Sequence, residues 1–216
     1  ASSPSTAPAP QTAAPPAPEA QAQNDASGSP DIIVTAQFRK ERLQDTPLAI
    51  TAVNAAQLEA KNQTNLAQMA DAAPNVSLKP QGASFGPSIS ASIRGVGQND
   101  FNPAYEPGVG IYIDDVYYPQ LTGAVFDLLD VDRVEILRGP QGALYGGGSL
   151  SGVYRIVSRK PVLNERSASI MVGAAATESG SPSGRIEGVV NLPLVTDRAA
   201  LRMTAYDDVE AGYVDD

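Results

Sequence analysis

From Ser167 to Tyr206, apolar and polar residues alternate with a period of two in three successive runs. Ala168, Ile170, Val172 and Ala174 share one face of the first run. In the second, Ile186, Gly188, Val190 and Leu192 oppose Arg185, Glu187, Val189 and Asn191. In the third, Leu201, Met203 and Ala205 oppose Arg202, Thr204 and Tyr206. Side chains of a strand point alternately to its two faces, so the runs predict three antiparallel strands. A longer link, residues 177–184, joins the first two, and a short turn, residues 193–198, joins the second and third. Two architectures share this pattern: part of the wall of a membrane β-barrel, and an antiparallel meander with one wet face. Periodicity by itself weighs toward the meander.

The residue inventory removes several classes of chemistry. The 216 residues include no His and no Cys, which excludes Ser-His-Asp catalysis, thiol nucleophiles, zinc fingers, iron–sulfur sites and disulfides. Fifteen Lys and Arg against 24 Asp and Glu give a net charge of −9, unlike the basic footprint of a nucleic-acid binder. No stretch approaches the roughly 18 apolar residues of a membrane-spanning helix, a scan that short barrel strands pass unseen. Residues 1–31 carry no Lys, Arg or apolar run of the signal-peptide kind, so the start at Ala1 reads as that of a processed chain or a cut edge.

The first 30 residues hold seven Pro, nine Ala, no aromatic and only Glu19 and Asp25 as charges. Such a segment has little to bury and is expected to be a disordered linker. Asp31-Ile32-Ile33-Val34-Thr35-Ala36 follows, a β-branched run open to two readings: the first strand of a domain, or a peptide held out for strand addition. Polar residues 37–45 form a second spacer. Between Pro47 and Pro161 the signals alternate. Leu48–Val53 predicts a strand. Asn54 with Gln57, and Asn65 ahead of Leu66–Ala72, predict capped helices, the second stopped by Pro74. Ser88–Arg94, Gly110–Tyr118, Val134–Leu137 and Val153–Ser158 predict further strands.

The Gly clusters around Gly95-Val96-Gly97 and Gly108-Val109-Gly110 lack the third Gly and helix of a dinucleotide site and read as turns. Gly142–Gly148 lacks a phosphate-loop Lys. Asp114 and Asp115, placed in a strand, would point to opposite faces and could not chelate together. Asp127, Asp130 and Asp132 read as solvated or capping groups. No nucleophile, base and oxyanion set assembles, so no enzyme, cofactor or metal site is expected.

Taken together, the motifs carry a resemblance. Asp31–Ala36 resembles a TonB box. Ile93-Arg94-Gly95, Tyr112–Val116, Val131–Gly146 (VDRVEILRGPQGALYG) and Ile156–Pro161 (IVSRKP) resemble the plug domain of TonB-dependent outer-membrane receptors. Leu192-Pro193-Leu194, Asp197–Arg202 and Gly212–Asp215 resemble their second and third barrel strands and the loop beyond. The similarity implies an α+β plug domain, a small mixed sheet with short helices, followed by antiparallel strands of a transmembrane β-barrel incomplete in this chain. The expected layout is linker 1–30, box and spacer 31–46, plug 47–161 and about three barrel strands in 162–216.

What the resemblance implies about function is transport. In that family a plug fills a barrel of about 22 strands. Residues Asp31, Ile32, Ile33, Val34, Thr35 and Ala36 would pair with the C-terminal domain of TonB, which draws on the proton gradient through ExbB and ExbD. Gln81, Phe85, Gln98, Asp100, Phe101, Tyr105, Tyr118 and Gln120 fall on outward loops that would read a small-molecule or metal-chelate substrate, a ferric siderophore foremost. Arg94 and Arg138 fall where plug arginines meet wall glutamates. The expected location is the outer membrane of a Gram-negative bacterium, among its lipids, with the N-terminus in the periplasm. The competing reading is a soluble periplasmic plug-like adaptor without its own barrel. One segment, residues 147–155, departs from the family pattern: Gly147 and Gly148 follow Tyr145-Gly146, Ser151 stands before Gly152, Tyr154 replaces an aliphatic residue and Arg155 an Asn, which implies a locally unusual entry to the barrel.

Overall fold

Asn54 closes one strand and opens the first helix. Its side chain accepts from Gln57 N–H at 2.9 Å, while Gln57 Oε1 accepts from Asn54 N–H at 3.1 Å, a reciprocal capping box. This computed structural model describes residues 32–81, 86–100, 102, 104–125, 127–176 and 181–209. The Pro/Ala-rich segment, Asp31, Phe85, Phe101 and Gly212–Asp215 lie outside the described residues.

Four sheets form. β1 (Ile33–Val34) pairs with β2 (Glu41–Arg42) alone. The central sheet has five strands in the order β3 (Ile50–Asn54), β9 (Val131–Arg138), β10 (Gly152–Ser158), β7 (Val109–Ile113) and β8 (Val116–Tyr118). Among the described residues of this sheet only the β10–β7 pair is parallel. β4 (Val76–Pro80), β5 (Ile89–Ile93) and β6 (Val96–Gln98) make a small antiparallel sheet. β11 (Ser167–Ala175), β12 (Ser183–Val195) and β13 (Ala199–Val209) make the last.

The two faces of the central sheet bury different things. Val53, Val134, Ile136, Tyr154, Ile156, Val109 and Ile111 point to one side and join the main core with Leu58 of α1 (Ala55–Ala60), Leu66 and Met69 of a 3₁₀ helix, and Ile89 and Ile93. On the other side Ile50, Leu137, Val153 and Tyr112 form a second cluster, covered by Ala36 and by Tyr145 of α2 (Gly142–Tyr145).

Several expectations change. Gly110–Tyr118 is not one strand but the β7–β8 hairpin. Asp114 and Asp115 form its turn, both with positive φ (47° and 69°), a conformation Asp tolerates better than most residues. Val96, Gly97 and Val109, within the Gly clusters read as turns, lie in strands. There Gly97 is required by close approach: a Cβ on it would stand 2.5 Å from Ser92 Cα. The polar spacer 37–45 folds back as β2 and a 3₁₀ turn, Leu43–Asp45. Leu66–Ala72 is a 3₁₀ helix, with the capping box that Asn65 and Gln68 supply.

In β11–β13 the register places Ala168, Ile170 and Val172 beside Val190, Gly188 and Ile186, and those beside Met203, Ala205 and Asp207. This face is exposed and largely apolar, with Ile170, Val172, Ile186, Leu192, Leu201 and Met203 all open. The opposite face is polar and turns to the body, where Asn191 is fully buried and Glu187 nearly so. An apolar exterior over a polar interior is the arrangement of a membrane wall rather than of a meander with a wet face. No described helix is long and apolar enough to cross a membrane.

Candidate functional site

The segment Ile32–Ala36 lies on the second face of the central sheet, as neither of the two sequence readings foresaw. It is no rung of that sheet, and it is not held free. Val34 and Ala36 are each 1% exposed, whereas Ile33 is 43% exposed. Leu43 N–H donates to Ile32 O at 2.9 Å, and Phe38 N–H closes a turn onto Thr35 O at 2.9 Å. Tyr145 Oη donates to Ala36 O at 2.7 Å, and its ring centroid lies 5.4 Å from that of Phe38.

Beneath Thr35 sits a charged cluster that sequence reasoning missed. The register sets Ala52, Glu135, Arg155, Tyr112 and Tyr117 in one row across the five strands. Glu135 is fully buried. Its Oε1 accepts from Thr35 N–H at 2.9 Å and from Arg133 Nε at 2.7 Å, and its Oε2 accepts from Arg155 Nη1 at 3.0 Å. Thr35 Oγ1 accepts from Arg133 Nη2 at 2.7 Å and from Arg155 Nη1. Arg155 also donates through Nε and Nη2 to Asp115 Oδ1, at 2.8 and 2.5 Å.

Burial works against the charged form of Arg155, but its bonds to Asp115 and Glu135 outweigh this and hold the guanidinium more firmly protonated than a free one. Burial likewise pushes the Tyr145 phenol up to about 12. The unusual Tyr154 and Arg155 both lie within β10 of the central sheet. Tyr154 packs into the main core, and Arg155, pointing the other way, holds Thr35. A charged residue within the central run Val131–Arg138, with an opposite charge in another central run, was the available signal.

The loops expected to read substrate gather elsewhere. Gln81 N–H donates to Ser88 O at 2.8 Å, Ile89 N–H to Leu121 O at 3.1 Å and Val125 N–H to Pro87 O at 3.1 Å, drawing residues 87–89 against 121–125 and Gln81 onto Ser88. Gln98 Nε2 donates to Asn102 O at 3.3 Å, and Asp100 Oδ1 accepts from Asn102 N–H at 3.1 Å, which shapes the loop leading to exposed Tyr105. Tyr118 Oη donates to Thr122 O at 3.1 Å, and Gln120 beyond it is exposed. Tyr118 and Gln120 leave the open end of the β7–β8 hairpin, while Asp115 and the Thr35 cluster lie at its turn. The two candidate sites thus occupy opposite ends of that hairpin.

Arg94, in the tight turn before Gly95, is exposed, and Arg138 ends β9 with Nη1 3.5 Å from Pro74 O. Neither meets a carboxylate among the described residues. One described contact between body and wall is Asp130, whose Oδ2 and Oδ1 each accept from Arg202, Nε and Nη2, at 2.5 Å. Thr204 Oγ1 adds a bond at 3.3 Å. Asp130 is therefore no solvated group: the side chains of Asp130 and Arg202 are only 10% and 13% exposed.

A profile of the family described as TonB-dependent Receptor Plug Domain matches residues 42–153, just over half the chain. The pesticin receptor of Yersinia pestis is 34% identical over 145 residues, which cover 66% of this chain and 20% of that protein. The vitamin B12 transporter of Vibrio vulnificus is 26% identical over 149 residues, 67% of this chain and 23% of the transporter. Among solved structures, the ferric yersiniabactin uptake receptor of Yersinia pestis superposes with a TM-score of 0.62 at 26% identity, covering 74% of this chain and 24% of that one. This chain thus spans about a fifth to a quarter of the length of such relatives. Plug and wall strands alike match those receptors, and the chain belongs to the TonB-dependent receptor plug family.

Proposed function

We propose that this chain is the energy-coupled gate of an outer-membrane importer for a scarce nutrient, a ferric siderophore foremost. Residues 31–36 pair by strand addition with the periplasmic C-terminal domain of TonB, itself driven through ExbB and ExbD, and the N-terminus lies in the periplasm. The outward loops bearing Gln81, Phe85, Gln98, Asp100, Phe101, Tyr105, Tyr118 and Gln120 bind the substrate. Arg94 and Arg138 meet acidic groups of the enclosing wall.

The observation that carries this reading is the place of Ile33–Val34. They pair with Glu41–Arg42 and with no strand of the central sheet, so the segment can leave without breaking the body's own ladders. Local opening of that kind costs less than global unfolding. The substrate class is supported by the ferric yersiniabactin uptake receptor among the structural neighbours. Ile33→Pro in the receptor tests the reading, because proline removes a backbone donor and fixes φ. Energised uptake of a radiolabelled ferric siderophore should stop while binding to the cell surface persists. Unchanged uptake would overturn the coupling role.

A further inference from the structure

Thr35 has no free backbone group. Along a strand, successive residues turn their N–H and C=O to opposite edges. Ile32 faces β2 through its bond to Leu43, so Val34 faces β2 as well, while Ile33 and Thr35 face away from it. That outer edge is where an added strand would pair. On it, Thr35 N–H is taken by Glu135 Oε1 and Thr35 O by Phe38 N–H, both at 2.9 Å.

We propose that the Glu135 carboxylate stands in for the carbonyl of an incoming strand and masks the pairing edge, with Arg133 and Arg155 as positioning residues. This rests on the reading that residues 31–36 act by strand addition. Glu135 is suited to the part because it is fully buried on a central strand and held by both guanidinium groups, so its Oε1 has one fixed position. The same two arginines donate to Thr35 Oγ1, so backbone and side chain of one residue are gripped by one cluster. A partner strand must therefore displace a charge-assisted acceptor, a stronger competitor than water. After release Glu135 keeps both arginines, and the vacated face opens onto a cleft of about 560 Å³ lined by Lys40, Asp115, Arg133 and Arg155. The seat can therefore empty without leaving a lone buried charge.

The chain has no cysteine, so Val34→Cys introduces a single thiol, buried while the segment is seated. In the full chain, maleimide labelling of that thiol reports release. Thr35→Val, which leaves the sheet untouched, and the paired replacement Glu135→Leu with Arg155→Met, which keeps the site packed, are each expected to speed labelling about tenfold. Hydrogen exchange at the Thr35 amide should accelerate in parallel in the paired replacement. The purified TonB C-terminal domain should also bind that paired replacement about tenfold more tightly. Labelling and exchange at the parent rate in both variants would overturn the mask. Faster labelling with unchanged TonB affinity would leave the mask standing and instead remove the strand-addition reading beneath it. Should the paired replacement fail to fold, Glu135→Gln, which keeps the side chain's shape but removes the charge of the acceptor, takes its place in both assays, and a parent rate there overturns the mask.

Discussion

The backbone amide of Thr35 donates to the buried carboxylate of Glu135 at 2.9 Å, across a separation of 100 residues. One hydrogen bond thus joins the segment ahead of the plug to the middle of its central sheet. The bond exists because β9 and β10 bring Glu135 and Arg155 into register beneath the segment.

That buried pair should dominate the local energetics. Arg155→Ala leaves Glu135 with Arg133 alone, and breaking a buried pair costs about 3 kcal/mol. Glu135→Leu combined with Arg155→Met should cost less than Arg155→Ala, because Arg133 keeps Asp132 and the released Asp115 is half exposed to solvent. Urea unfolding midpoints of the parent, the single variants and the pair measure this. Losses that simply add would contradict the pairing.

Alkaline pH should loosen the segment. Burial raises the Tyr145 phenol to about 12, so the folded state favours the neutral form. Its stabilisation is complete below the unfolded value near 10 and is lost as pH rises toward 12. Tyr145→Phe should flatten part of the decline in stability between about pH 10 and 12. Tyr117 and Tyr154, also raised by burial, supply the remainder. An unaltered pH profile would show that the phenol is not coupled to folding.

The Asp130–Arg202 bond should fasten plug to wall. Arg202→Lys keeps the charge but loses the two-pronged geometry, and a loss of roughly 1–2 kcal/mol is expected. Asp130 O also accepts from Arg159 N–H at 3.0 Å, so loosening should reach the link that follows. Hydrogen exchange across residues 159–166 should speed up in the variant while the β9–β10 amides stay protected.

Two glycines of one motif should respond differently. A Cβ on Gly97 would strike the Ala91 carbonyl and the Ser92 backbone, whereas one on Gly95 meets nothing within 4 Å. Gly97→Ala should therefore cost roughly 1–3 kcal/mol and shift Gln98 and the loop beyond it. Gly95→Ala carries only the strain of a positive φ of 77°, about 1 kcal/mol. Thermal melting of the two variants tests the order.

Local signals were legible where local chemistry decides. The Asn54 and Asn65 caps form as their spacing predicts, and the alternation of residues 167–206 gives the faces of three strands. Partner choice across the sheet was not legible, because Glu135 meets Arg155 only through strand register, a long-range property. Asp114 and Asp115 hid a hairpin, since the turn lacks the glycine that usually marks one. The docking of Val34 and Ala36 was equally hidden. A β-branched run suits an exposed strand and a buried one alike, and what seats it here is a tyrosine and a carboxylate about a hundred residues away.

The coupling role of the segment is tested most directly by site-specific disulfide cross-linking. Single cysteines at positions 31 to 36 would be paired, one at a time, with single cysteines along the terminal strand of the TonB C-terminal domain, in energised cells. Strand addition predicts cross-links at matched positions that shift in step along both chains, strongest at alternate residues around Ile33 and Thr35. Cross-links absent from all six positions, or equally strong in every combination, would contradict it.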